Sequence, residues 1–449
     1  MIYSRYNILA HSEKYGYLLL NTRTMFFSAV GADVANKLQA MVNERHGEYP
    51  CLDVSENILE TLQSAKVLVT NTNEDDDYFN VKKFLRYKKA FSQYGLGIVL
   101  VPTFACNFRC PYCYEDSLPH TTIEDKTLND IINFIHKLGQ KNLSLCWHGG
   151  EPLLAFPKIR KFIDLVNQND IQLIQHSMVS NGYLLDQEKC TFFNQTNLGT
   201  IQITLDGDRE LHDKTRILAS GKGTFDKIID NVELLFKYAP KCRVIIRVNV
   251  HADNIDAYPK LKEILRQRWG DANYVLNIAF VNDVNQTCKV ACMADKNKIH
   301  YLHTLHEKYG ISDLSFLPQP QAVGCAATSV NTFVIGPFGE LYKCWVDVGR
   351  KEKIIGSIYD DRYYNNLLPV YTVGSDMFSD TRCRQCPMFP LCDGGCILRR
   401  YNQAHHGILY EPCPVKEEDY VELLELLYET KKVRNEKGFN GIGTGIMCL

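Results

Sequence analysis

From residue 96 onward the chain repeats one pattern: an apolar or alternating run, then a stretch with helical spacing. Runs at 96–104, 143–147, 173–179, 200–205, 243–250 and 275–280 read as strands. Between them, 127–137, 156–166, 186–194, 225–238 and 257–268 carry helical periodicity. Six βα units of this length predict a parallel sheet, with functional side chains on loops at the carboxyl ends of the strands. Residues 1–90 read differently. Strands are expected at 15–21, 26–30 and 66–69 and helices at 32–43 and 56–64, which makes a small α+β unit of winged-helix-like composition. The acidic run 71–77 reads as a solvated turn, and 78–93, with lysines and aromatics at helical spacing, as a linker helix. Near the end, 417–431 is helical, and the glycine density of 438–449 predicts a flexible tail.

The expected organisation is an N-terminal α+β domain (1–90), a βα domain (91–310), a cysteine-rich domain (311–432) and a tail (433–449). A chain of 449 residues, 45% hydrophobic and 23% charged, suits such a globular protein of two or three domains. A formal charge of −2 argues against a nucleic-acid partner held by phosphate contacts. The N-terminus lacks the apolar core of a signal peptide, and no run of about 18 apolar residues occurs. The expectation is a cytoplasmic protein without a membrane partner, whose thiols stay reduced. Seventeen cysteines in that setting point to metal. Ten fall into spaced motifs, and Cys51, Cys146, Cys190, Cys242, Cys288, Cys292 and Cys448 remain, read mostly as small buried hydrophobes.

The first motif, Cys106-Asn107-Phe108-Arg109-Cys110-Pro111-Tyr112-Cys113, directly follows the first strand of the βα series. Three thiolates on such a loop can hold three irons of a [4Fe–4S] cube. An electron-transfer cluster normally takes four cysteines, so the vacancy suggests an iron open to a small molecule. A zinc ribbon would pair CxxC knuckles, and none lies nearby.

The CxxxCxxC spacing, with the aromatic Tyr112 before its last cysteine, resembles the signature of the radical S-adenosylmethionine (SAM) enzymes. The resemblance implies a partial (β/α)6 barrel of TIM type, in agreement with the six βα units. It also implies that SAM chelates the open iron and is cleaved by one electron to methionine and a 5′-deoxyadenosyl radical. His148-Gly149-Gly150-Glu151-Pro152 after the second strand is similar to the family's GGE motif, whose backbone groups are expected to bind the SAM ammonium. Ser180-Asn181-Gly182 after the third strand resembles its SNG element, suited to a ribose or carboxylate. Thr204-Leu205-Asp206-Gly207 with His212, Asp213 and Arg216 resembles the S-L-D-G…H-D…R block of peptide-modifying members. Asp206 and Arg216 would orient the ribose and carboxylate, or form a buried structural pair. Asn249 on the fifth strand is expected to contact ribose or substrate.

Cys325, the Gly339-to-Cys344 turn, Cys383-x-x-Cys386, Cys392, Cys396 and Cys413 follow in an order that resembles the SPASM domain, which carries two auxiliary [4Fe–4S] clusters. The resemblance implies one cluster on Cys383, Cys386, Cys392 and Cys413 and another on Cys325, Cys344 and Cys396. Relatives often add a ligand six positions before the first cysteine. Here that residue is Gln319, so an open iron, Cys288 or Cys292 completes the set.

SPASM enzymes mostly act on peptides or proteins, which implies a peptide-modifying oxidoreductase supplied with electrons by ferredoxin or flavodoxin. The favoured expectation is a maturase of ribosomally made (RiPP) precursor peptides that forms a thioether or carbon–carbon crosslink. The N-terminal domain would recognise a leader peptide by strand addition or cap the barrel. Anaerobic sulfatase maturases carry Asp directly after the turn cysteine. Trp345 stands there in this chain, and Asp347 is left as a catalytic base or an exposed acid. A non-catalytic iron–sulfur peptide binder and a zinc-containing nucleic-acid binder are the other classes.

Overall fold

The computed structural model describes residues 1–43, 52–115, 118–281, 283, 288–293, 297–311, 325–392, 394–407, 413–436 and 447–448. Cys51, Gln319 and most of the glycine-rich tail lie outside them. Fifteen strands occur among the described residues. They are β1 (Ile2–Tyr3), β2 (Asn7–Ser12), β3 (Gly16–Asn21), β4 (Phe26–Val30), β5 (Leu68–Val69), β6 (Leu96–Leu100), β7 (Asn142–Trp147) and β8 (Gln172–Ser180). After these come β9 (Thr200–Thr204), β10 (Arg243–Val250), β11 (Tyr274–Phe280), β12 (Thr332–Ile335), β13 (Glu340–Tyr342), β14 (Gly356–Ser357) and β15 (Met447–Cys448). The chain forms two compact units: Met1–Lys89 with Ala294–Cys325 and Gly374–Leu449, and Ala90–Met293 with Ala326–Val373.

The second unit contains the expected βα series. Strands β6 to β11 lie side by side in chain order and are all parallel. On β6 the side chains of Leu96, Ile98 and Leu100 are buried, each two residues from the next, so one face of the strand packs inward. The following helix, Asp125–Lys137, buries Thr127, Leu128, Ile131, Ile132, Phe134 and Ile135, the stripe that a helix laid on a sheet must present. The first strand stops at Leu100, four residues short of the apolar run. Pro102 has no N–H for a ladder, and Phe104 N–H bonds to Thr121 O at 2.9 Å instead. The sheet also runs beyond six strands: β12 adds in parallel to β6, and β13 and β14 follow antiparallel, for nine in all.

The first unit builds an antiparallel β2–β3–β4 sheet and a β1–β5 pair. Helices Ala32–Asn43 and Glu56–Ser64 coincide with their predicted spans, and Leu19, Val34, Leu38, Leu62 and Val67 form the shared core. The acidic run is not a solvated turn. It opens the helix Asn73–Ala90, where carboxylates favour the N-terminal end. Asp75 is buried and accepts hydrogen bonds from Ser4 Oγ at 3.0 Å and Arg5 N–H at 2.9 Å. The described part of the tail, Met447–Cys448, pairs in parallel with Ser28 and Ala29 of β4.

Candidate active site

Cys106, Cys110 and Cys113 leave β6 on a loop that lines a cavity of about 460 Å³ together with Phe104, Phe108, Glu115 and Gly150. Burial pushes the Cys106 and Cys113 thiols up to about 12, so these sulfurs need a bound metal to become thiolates at neutral pH. Buried polar atoms around the loop have no hydrogen-bond partner among the described residues: Asn107 Nδ2, Glu115 Oε1 and Arg216 Nε. A cavity with three sulfurs and unpaired polar groups fits an iron–sulfur cluster carrying a polar organic ligand.

Tyr112 ties this loop to the barrel. Its hydroxyl donates to Asp206 Oδ2, and it accepts from Arg216 Nη1 at 3.1 Å and Asn249 Nδ2 at 3.3 Å. Asp206 follows β9 and also receives Asn249 N–H at 3.0 Å, while Arg247 Nε donates to Asn249 Oδ1 at 2.8 Å. Arg216 Nη1 lies 3.7 Å from Cys110 Sγ, and its guanidinium sits 5.4 Å from the Phe108 ring centroid. Asp206 and Arg216 are thus both buried, and the Tyr112 hydroxyl bridges them beside a cluster sulfur. Burial raises the Asp206 carboxyl, and the Arg216 guanidinium partly opposes the shift.

Gly149 and Gly150 are required by close backbone approach. A Cβ on Gly150 would lie 2.3 Å from Ala105 O, and one on Gly149, at φ +122°, 2.5 Å from Thr103 O. Their N–H groups are engaged within the chain, Gly149 with His148 Nδ1 at 2.7 Å and Gly150 with Thr103 O at 3.2 Å. Glu151 is fully buried and accepts from Ser180 Oγ (2.8 Å), Asn181 N–H (2.7 Å) and Leu153 N–H (3.0 Å). Asn181 Nδ2 donates to Asn107 Oδ1 at 2.8 Å, so the ends of β7 and β8 are fastened to the cysteine loop.

Several residues of this region make contacts that their sequence positions do not announce. The His148 and Trp345 rings stack at 5.4 Å with 8° between their planes, and Tyr114 OH is 3.2 Å from His148 Nε2. Burial lowers the imidazole to about 4, with Arg247 adding to the shift, and raises the Glu115 carboxyl to about 8. Asp347 is not an exposed acid. It is 2% exposed, its carboxyl is pushed up to about 6 by burial, and it accepts from Tyr371 OH at 2.5 Å. Cys344 opens the short turn Trp345–Asp347. Cys288 and Cys292 are adjacent, with sulfurs 3.8 Å apart, and Lys289 N–H bonds to Pro111 O of the cysteine loop at 2.9 Å.

In the first unit, Cys383, Cys386, Cys392 and Cys413 line one cavity of about 370 Å³ with Met377, Met388, Phe389 and Arg400. Arg400 Nη2 donates to Cys383 Sγ at 2.9 Å, and burial raises the Cys392 thiol to about 11. Four sulfurs around one apolar space with a cation alongside fit a fully ligated cluster. Cys396 caps the helix Ile397–His406, and Cys325 is exposed.

Residues 100–264 match the radical SAM superfamily. The chain carries a radical SAM domain, with the iron–sulfur and SAM chemistry of that superfamily, and is an enzyme. It is homologous to anaerobic sulfatase-maturating enzymes. The cysteine-type enzyme of Clostridium novyi is 26% identical over 336 residues, spanning 67% of this chain and 88% of that one. The serine-type enzyme of Bacteroides thetaiotaomicron is 25% identical over 355 residues, spanning 70% and 85%. Two solved structures share the fold. Native anSMEcpe with bound AdoMet and Cp18Cys peptide has a TM-score of 0.60 and 21% identity, covering 77% of this chain and all of that one. Streptococcus suis SuiB bound to S-adenosylmethionine has a TM-score of 0.51 and 15% identity, covering 89% and 96%. Among the described residues no helix is long and apolar enough to cross a membrane.

Proposed function

We propose that this enzyme matures a ribosomally made precursor peptide, abstracting a hydrogen and closing a thioether or carbon–carbon crosslink. The observation that carries the reading is the Tyr112–Asp206–Arg216–Asn249 network set against three cysteines in one cavity. When bound, the cluster and SAM supply the electron and the 5′-deoxyadenosyl radical. Cys106, Cys110 and Cys113 would hold that cluster, and the Gly149–Gly150 carbonyls would accept from the ammonium. Asp206, Arg216 and Asn249 would orient ribose and carboxylate, with Glu151, Ser180 and Asn181 bracing the strand ends. Cys383, Cys386, Cys392 and Cys413 would hold one auxiliary cluster. A ferredoxin or flavodoxin would be the reductant.

Sulfatase-type oxidation is the second reading, favoured by the curated relatives, of which this chain spans 88% and 85%. Two features weigh against it: Trp345 stacks on His148 where those enzymes place Asp, and the nearby Asp347 is buried against Tyr371. The test is anaerobic turnover with SAM, dithionite and the peptide encoded by a short reading frame beside the gene. The expected product has lost two hydrogens, with fragmentation that joins two of its residues. Turnover of a sulfatase-derived peptide alone would overturn the maturase reading.

A further inference from the structure

The four-cysteine cavity of the first unit has largely apolar walls, with Met377, Met388 and Phe389 facing the sulfurs. One cation interrupts them. Arg400, on the helix Ile397–His406, lines the same space and is only 8% exposed. A charge taken that far from water is costly unless its donors are met, so its partners show what it is for.

Three contacts hold the guanidinium. Nε donates to Gly394 O at 2.5 Å, Nη1 to Asp380 Oδ2 at 2.9 Å and Nη2 to Cys383 Sγ at 2.9 Å. The backbone carbonyl and the carboxylate fix the planar fork, and the fork then aims its remaining donor at the sulfur. Asp380 does not cancel the charge of Arg400. The same carboxylate receives Arg382 Nη2 at 2.9 Å and Arg382 Nε at 3.2 Å, so one anion is shared by two guanidinium groups. Arg382 is 59% exposed and screened by water, whereas Arg400 is enclosed. The surplus positive charge therefore stands beside a cluster ligand, where screening is weakest.

Uptake of one electron makes an iron–sulfur cluster more negative by one charge and makes or breaks no bond. A fixed cation donating to a ligand sulfur stabilises that more negative state, and hydrogen bonds to sulfur are among the groups that set the potential of such clusters. We propose that Arg400, through Cys383, raises the reduction potential of the cluster in this cavity and makes it a better electron acceptor. The inference rests on the assignment of Cys383, Cys386, Cys392 and Cys413 to one auxiliary cluster.

The test is a redox titration of full-length, anaerobically reconstituted protein, with dithionite as electron donor and electron paramagnetic resonance as the readout. The signal of this cluster is the one lost in Cys386→Ser. Arg400→Met removes charge and donor at similar bulk and should shift the reduction equilibrium at least tenfold, lowering the midpoint by about 59 mV for one electron. Arg400→Lys, which keeps the charge without the fork, should fall between Arg400→Met and the wild type. Asp380→Asn, still able to cap the helix Thr381–Gln385, should raise the midpoint. A midpoint that stays or rises in Arg400→Met at full iron content would overturn the inference. Should Arg400→Met lose its iron, Asp380→Asn decides, and an unmoved midpoint there refutes it equally. If no signal disappears in Cys386→Ser, the cluster assignment itself falls, and this inference with it.

Discussion

Tyr112 brings together groups that sit far apart in the chain, and its hydroxyl is the joint. Removing it with Tyr112→Phe leaves Asp206, Arg216 and Asn249 each short of one buried partner, at a cost of about 1–3 kcal/mol. The expected result is a lower Tm and a higher KM for SAM with the full iron content. Unchanged values for both would remove Tyr112 from the site. Gly150→Ala drives a methyl against the Ala105 carbonyl, and overpacking of this kind costs about 1–3 kcal/mol. Iron should fall at the cysteine loop alone, read as loss of SAM cleavage with the auxiliary iron retained. These residues were legible because their motifs are contiguous and each follows a strand. Glu115 was not, and although His148 and Trp345 stand in their motifs, only folding reveals that their rings stack. The burial of Asp347 went unseen for a related reason: one acid between Val346 and Val348 says nothing of Tyr371, 24 residues on.

The barrel strands carry a pH dependence of their own. Trp147 Nε1 at the end of β7 donates to His176 Nε2 on β8 at 2.9 Å, and burial lowers this imidazole to about 4. The ordinary value is about 6.5, so the folded state prefers the neutral ring. The stabilisation is complete above about pH 6.5 and is lost as pH falls towards 4. By linkage it amounts to roughly 3 kcal/mol, of which about 2 is gone by pH 5. Thermal unfolding of the wild type should therefore weaken between pH 7 and pH 5 more than that of His176→Gln, and parallel curves would refute it. Asp75 makes the matching point in the other unit. Asp75→Ala leaves Ser4 Oγ and the Arg5 N–H without their buried acceptor and should destabilise by about 1–3 kcal/mol, measured by denaturant midpoint. Its acidic run suggested solvent because charge density marks exposure only on average, and the partners Ser4 and Arg5 are 71 and 70 residues away.

At the scale of the molecule, the six parallel strands were readable from apolar runs because each is long enough to show its period. The extension through β12, β13 and β14 was not, since strands of two to four residues carry no period to read. Helix Asn297–Tyr309 escaped notice for the opposite reason: the buried His303 interrupts its apolar stripe. The most direct measurement is 5′-deoxyadenosine released by anaerobically reconstituted protein given SAM and dithionite, run beside Cys110→Ala. Wild-type protein should release it, and Cys110→Ala should release none while keeping the iron of its auxiliary clusters. Equal release from both proteins, or none from a wild type loaded with iron and sulfide, would contradict the account.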